Sequence, residues 1–160
     1  MNKSQLLQLI VERLSADLDM AQRAAQSAYE TATHQENIAE NKYDTLGLEA
    51  SYLATGQARR MEEIRQALAL YRQLGLRPHD PERGIAIGDL VLLDDRNGKR
   101  QQLFLGPEGA GLKLQLEGQT VTVITPRSPL GQGLLGKRQG DALYLSVAGM
   151  RQEHEVYDVR

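Results

Sequence analysis

Apolar residues recur along the first part of the chain at helical spacing. From 4 to 33 there is no Gly or Pro, and Ala, Leu, Gln, Glu and Arg dominate, all good helix formers. Leu7, Leu14, Ala21 and Ala28 fall close to a heptad, with Ile10, Leu18, Ala24 and Ala25 beside them, so one helix of about 45 Å carries a stripe that asks for a partner helix. The partner is predicted over 45–74, where Leu46, Ala50, Leu53, Ile64, Leu68 and Tyr71 share one face. In an antiparallel pair the bulky residues meet at the base, and the small residues from Ala21 to Ala32 lie near a slim tip. The apolar period lapses over His34–Asn41, which is the predicted turn. Pro78 and Pro81 follow Leu74 and Gly75 and stop the second helix, because proline lacks an N–H and restricts the residue before it.

From 85 the pattern changes to short β-type runs: DLVLLDD, KRQQLFLG, LKLQLEG, QTVTVIT, DALYLSV and EHEVYDV. Strict alternation in two of them predicts a sheet with one solvated face, hence mostly antiparallel, and Asn97-Gly98 marks a hairpin. Ser128 is a good N-cap, Pro129 suits the first helical position, and Gly136 ends a short helix. The expected fold class is α+β: a helical hairpin over 1–74, a linker over 75–84, and an antiparallel sheet with one short helix over 85–160.

Composition narrows the function classes without choosing one. A formal net charge of −2 argues against free nucleic acid as the main partner, and the absence of cysteine excludes disulfides and thiolate metal sites. The amino terminus is too charged for a signal segment or a membrane span, so a cytoplasmic protein with no membrane partner is expected. The glycines at 131, 133 and 136 lack the strand and helix context of a phosphate loop. His79 and His154 stand isolated in the sequence and suggest no site.

The stretch TPRSPLGQGLLGKRQGD at 125–141, running into a strand and ending in HEVYDV, resembles the carboxy-terminal domain of the bacterial GreA/GreB elongation factors. The resemblance covers most of 85–160 in motif order. It implies an FKBP-like fold for that part and a helical hairpin before it. It also implies a partner, RNA polymerase, whose secondary channel admits the hairpin. The surface at Ser128, Pro129, Leu130 and Leu134 would dock on the polymerase, and nascent RNA or DNA would be met only inside the complex. Acids at the hairpin tip would help hold a magnesium ion shared with the polymerase active site. The chain would then have no cofactor and no enzymatic activity of its own.

The tip residues singled out are Glu36, Asn37, Glu40 and Asp44. The family's tip reads Asp-Leu-Ser-Glu-Asn, and here it is matched by Asn37-Ile38-Ala39-Glu40-Asn41, so only the second acid, Glu40, is retained as a metal-directed carboxylate. Asn37 cannot supply the charge that strengthens magnesium binding, so reduced transcript cleavage is expected, with channel competition as the alternative. Asn37 followed by Glu40 also fits a capping box. A peptidyl-prolyl isomerase, suggested by the FKBP-like fold, and a coiled-coil adaptor are the remaining readings. The first is disfavoured by the few aromatic residues of 85–160, Phe104, Tyr144 and Tyr157.

Overall fold

The structure, a computed structural model, describes residues 2–38 and 46–160, with side chains described for all of these except Ala32, 35–38 and 46–54. It is an α+β protein with an amino-terminal helical region and a carboxy-terminal mixed sheet. The chain divides into two compact units, one formed by Val11–Ala69 and the other by Met1–Ile10 with Leu70–Arg160.

The helices are α1 (Lys3–Ile38) and α2 (Leu46–Gln73). α1 continues five residues past its predicted end at 33, into the predicted turn, because nothing from Lys3 to Ile38 breaks a helix: Asn37 lacks strong helix propensity but, unlike Gly or Pro, costs little. At 36 residues it is about 54 Å long. Within Val11–Ala69, Leu14, Ala21, Ile64, Ala67 and Leu68 are buried, while Gln22, Ala25, Gln26 and Tyr29 share a groove with Ala58, Met61 and Arg65. The two helices therefore lie side by side. Seven residues join them, reaching at most about 25 Å, too short to return along a 28-residue helix, so the pair is antiparallel. The buried stripe uses Leu6 where Leu7 was expected. Leu6, Ile10 and Leu14 repeat at i, i+4 and i+8, the natural stripe of a straight helix, and Leu7 is left half-buried.

The sheet contains β1 (Leu90–Asp95), β2 (Arg100–Leu105), β3 (Lys113–Leu116), β4 (Gln119–Ile124), β5 (Ala142–Val147) and β6 (Met150–Val159), in the order β3-β4-β2-β1-β6-β5. The expectation of an antiparallel sheet is corrected at one pair: β2 and β4 run parallel, Gln102 beside Val121 and Leu105 beside Ile124. The cause is the path of the chain. After β2 it skips one strand position to lay down β3, then turns at Glu117-Gly118, both at positive φ, and β4 fills the gap between β3 and β2. β6 begins three residues earlier than the EHEVYDV run, closing on β5 through a two-residue turn at Ala148-Gly149, again both at positive φ. Asn97-Gly98 sits in the β1–β2 hairpin as predicted, where the Asp95 carboxylate accepts hydrogen bonds from the backbone N–H of Asn97 and Lys99.

One face of the sheet holds Val91, Leu93, Leu103, Leu105, Ile124, Leu143, Val156 and Val159, covered by Ile85 and by Leu134 of the short helix α3 (Pro129–Leu134). On the alternate positions Leu90, Phe104, Val121 and Val123 are equally buried. Tyr71 lies beside them: its hydroxyl would collide with any Cβ at Gly106 and it donates a hydrogen bond to the Glu108 carbonyl. Among the described residues no helix is long and apolar enough to cross a membrane.

Candidate functional site

Ser128 opens α3 in extended conformation, its Oγ accepting from the Gly131 N–H at 3.1 Å and donating to the Thr125 carbonyl at 2.8 Å. Pro129 follows at the first helical position, where an N–H would have no helical partner. Each glycine here has its own reason. A Cβ at Gly131 would stand 1.9 Å from the Thr125 carbonyl oxygen, and one at Gly133 would stand 2.6 Å from Leu143. Gly136 takes φ +77 just after the helix, and its N–H donates to Ile85 O while Lys137 O accepts from Ile85 N. Gly140 and Asp141 then exchange hydrogen bonds with Val156 and start the final hairpin.

This geometry divides the expected docking residues. Leu134 is fully buried in the core and presents no surface, because the face of α3 that carries it is the one laid on the sheet. Leu130 is half-buried against the same core, Ser128 is half-buried and spends its hydroxyl on the cap, and Pro129 is exposed. Leu135, one residue past the helix, is 42% exposed and supplies the apolar surface that Leu134 does not. Arg127 is also exposed and pairs with Glu108 at 2.8 Å, while the Arg138 guanidinium donates to the Glu82 carbonyl.

Glu36 and Asn37 lie on the last turn of α1. Asn37 is therefore inside a helix and is not the N-cap of the next one, so the capping-box reading fails at its first residue. Glu40 and Asp44 lie outside the described residues. Among the described residues no group of three or more His, Asp or Glu is placed to hold a metal ion.

A cluster that sequence reasoning missed surrounds Asp89, 2% exposed just before β1. Its Oδ2 lies 2.9 Å from His79 Nδ1, accepts from the Ala86 N–H at 2.9 Å and has Arg83 at 3.9 Å, while Lys3 Nζ is 3.9 Å from its Oδ1. Lys3 also donates to the Arg77 carbonyl at 2.6 Å; burial lowers its pKa, and the Asp89 charge works against that. The partners lie 3 to 86 residues away in sequence, and only the aspartate preceding a β-run hinted at the site. The cluster ties the start of α1, the 76–84 segment and β1 together.

Comparison with known proteins leaves the family open. No family model matches the chain, and no curated protein matches it. Among solved structures it is similar to GreA factor homolog 1 (Gfh1) of Thermus thermophilus, at 25% identity over 94% of each chain and a TM-score of 0.39. Gfh1 of Thermus aquaticus is 22% identical over 92% of each chain, with a TM-score of 0.39. The GreA/GreB elongation factor from Nitrosomonas europaea is 18% identical over 64% of this chain and 90% of that one, with a TM-score of 0.38. At TM-scores near 0.4, none of these likenesses decides what this chain does.

Proposed function

We propose that this chain is a Gre-type regulator of bacterial RNA polymerase, whose paired helices enter the secondary channel while the sheet-bearing part docks on the channel rim. The observation that carries the reading is the 125–141 stretch. It forms a Ser128-capped helix, closes at Gly136 and passes through Gly140-Asp141 into a terminal β-hairpin, in the order the GreA/GreB resemblance implies. Two long antiparallel helices precede it, as that resemblance also implies.

In this reading the chain is not itself an enzyme. It would offer Glu40 as one carboxylate towards a magnesium ion held by the polymerase, a hard cation that favours such oxygens. With Asn37 in place of a second acid, channel occupancy with weak or no transcript cleavage is favoured over robust cleavage. Nascent RNA and DNA are then contacts within the complex only.

The test is co-elution of the purified protein with core RNA polymerase, followed by incubation of backtracked complexes with wild type, Glu40→Ala and Asn37→Asp. Co-elution with little shortening of the transcript, and a gain from Asn37→Asp, is the expected result. Failure to co-elute would sink the proposal. Robust cleavage by wild type would overturn the inhibitory form of it.

A further inference from the structure

The two edges of the sheet are not alike. β3 is four residues long and carries the exposed Lys113, a short and charged edge of the kind that discourages strand addition. β5 is six residues long, Ala-Leu-Tyr-Leu-Ser-Val, with no charge and no proline, and Tyr144 and Val147 are 51% and 49% exposed.

The backbone of β5 is also open. Gly140 N donates to Val156 O and Val156 N to Asp141 O, so even-numbered residues of β6 direct their polar groups towards β5. Their partners Leu143, Leu145 and Val147 are turned inward, which leaves the N–H and C=O groups of Ala142, Tyr144 and Ser146 directed away from the sheet.

We infer that β5 pairs antiparallel with β5 of a second copy about a two-fold axis at Tyr144, joining two sheets into one twice as wide. In that register Tyr144 meets Tyr144 of the second copy, Ala142 meets Ser146, and Leu143 meets Leu145. About six backbone hydrogen bonds form, and every directly opposed pair within 142–146 is neutral. The flanking charges agree with the register. Arg151 lies beside Ser146 and Glu155 beside Ala142 on β6. The pairing therefore sets Arg151 of one copy across from Glu155 of the other, about 14 Å apart at Cα over two small residues, within reach of two long side chains. The two Glu153 residues stand the same distance apart at Cα, across both tyrosine rings, and nothing draws their shorter side chains together.

The test is sedimentation of the full chain up to about 1 mM, beside Ser146→Pro, Tyr144→Lys and, on the opposite edge, Gln115→Lys. Wild type and Gln115→Lys are expected to approach twice 17.8 kDa, while both β5 variants stay at 17.8 kDa with unchanged circular dichroism. Should those variants fail to fold, amide exchange on wild type decides: Ala142, Tyr144 and Ser146 should exchange several-fold more slowly in concentrated than in dilute protein. A wild type that stays monomeric throughout, a dimer that survives both folded β5 variants, or exchange at those amides that ignores concentration would each overturn the inference.

Discussion

Replacing Tyr71 by Phe isolates a single buried hydrogen bond and a single ionisation. The side chain is fully buried, and its hydroxyl donates to the Glu108 carbonyl while standing where Gly106 leaves room for it. Phe keeps the ring, so the loss is the hydrogen bond plus a carbonyl left without its partner, about 1 to 2 kcal/mol at neutral pH. For a chain of this size that lowers the midpoint by roughly 2–8 °C. Alkaline pH gives the second arm. Burial first, and the nearby Glu108 charge second, push the Tyr71 phenol well above its ordinary value of 10.0. The folded state thus holds a proton that the unfolded chain releases. The stabilisation is complete below pH 10 and falls as pH rises above it, by up to about 1.4 kcal/mol per pH unit until the folded-state pKa is reached. Urea unfolding at pH 7, 10 and 11 should show wild type converging on the Phe variant as pH rises, the other tyrosines cancelling in the difference. A gap that is absent at pH 7, or one that stays constant to pH 11, would refute this account of Tyr71.

Three further outcomes are expected. Gly131→Ala forces a methyl to within 1.9 Å of a backbone oxygen and should cost about 3 kcal/mol or more, whereas Gly118→Asn, at a turn position with open space, should cost under about 1 kcal/mol; chemical denaturation compares them. Asp89→Ala leaves His79, Lys3 and the Ala86 N–H facing an empty site and should lose about 3 kcal/mol in the same assay, with little relief from added salt because the site is buried. Arg100→Ala removes a 2.7 Å pair with Asp94 and a cation over the Tyr157 ring; the carboxyl of Asp94, held low chiefly by that hydrogen bond, should titrate higher by NMR, while the unfolding midpoint should barely move because solvent screens the exposed pair.

The strands were legible because half-buried β-runs alternate and their turns are marked: six runs in the sequence became six strands within a few residues. Two features were not. Parallel pairing of β2 with β4 depends on which gap the β3–β4 hairpin fills, a choice made by three-dimensional packing that alternation does not encode. The Ala148-Gly149 turn lacks the Asn-Gly signal yet adopts the same positive-φ pair, since only the glycine is cheap there and the tight hairpin constrains the alanine. The end of α1 was misplaced for a related reason: asparagines that suggested a turn are tolerated in a long helix. At the candidate site, Ser128 and Pro129 could be read from local capping rules, while Asp89 could not, because its partners include Lys3 at the start of α1 and His79 ten residues upstream.

The geometry of 125–141 bears on how much function a sequence likeness can carry. Ser128 is occupied by the cap, Gly131 and Gly133 by close approach to Thr125 and Leu143, Gly136 by its backbone, and Leu134 by the core. Nearly every distinctive residue of the stretch is accounted for by folding α3 onto the sheet, so the likeness speaks first to architecture. What a partner could touch is the remainder: Pro129, the half-buried Leu130, Leu135, and the basic residues Arg127 and Arg138. Docking is therefore best probed where the fold makes no demand. Leu135→Glu leaves the cap and the core intact and should weaken co-elution with polymerase while leaving the unfolding midpoint within about 2 °C. Ser128→Ala would cost about 1 kcal/mol of cap and confound folding with binding. If Leu135→Glu binds polymerase as well as wild type, the surface around α3 is not the docking face, and the stretch is a signature of fold alone.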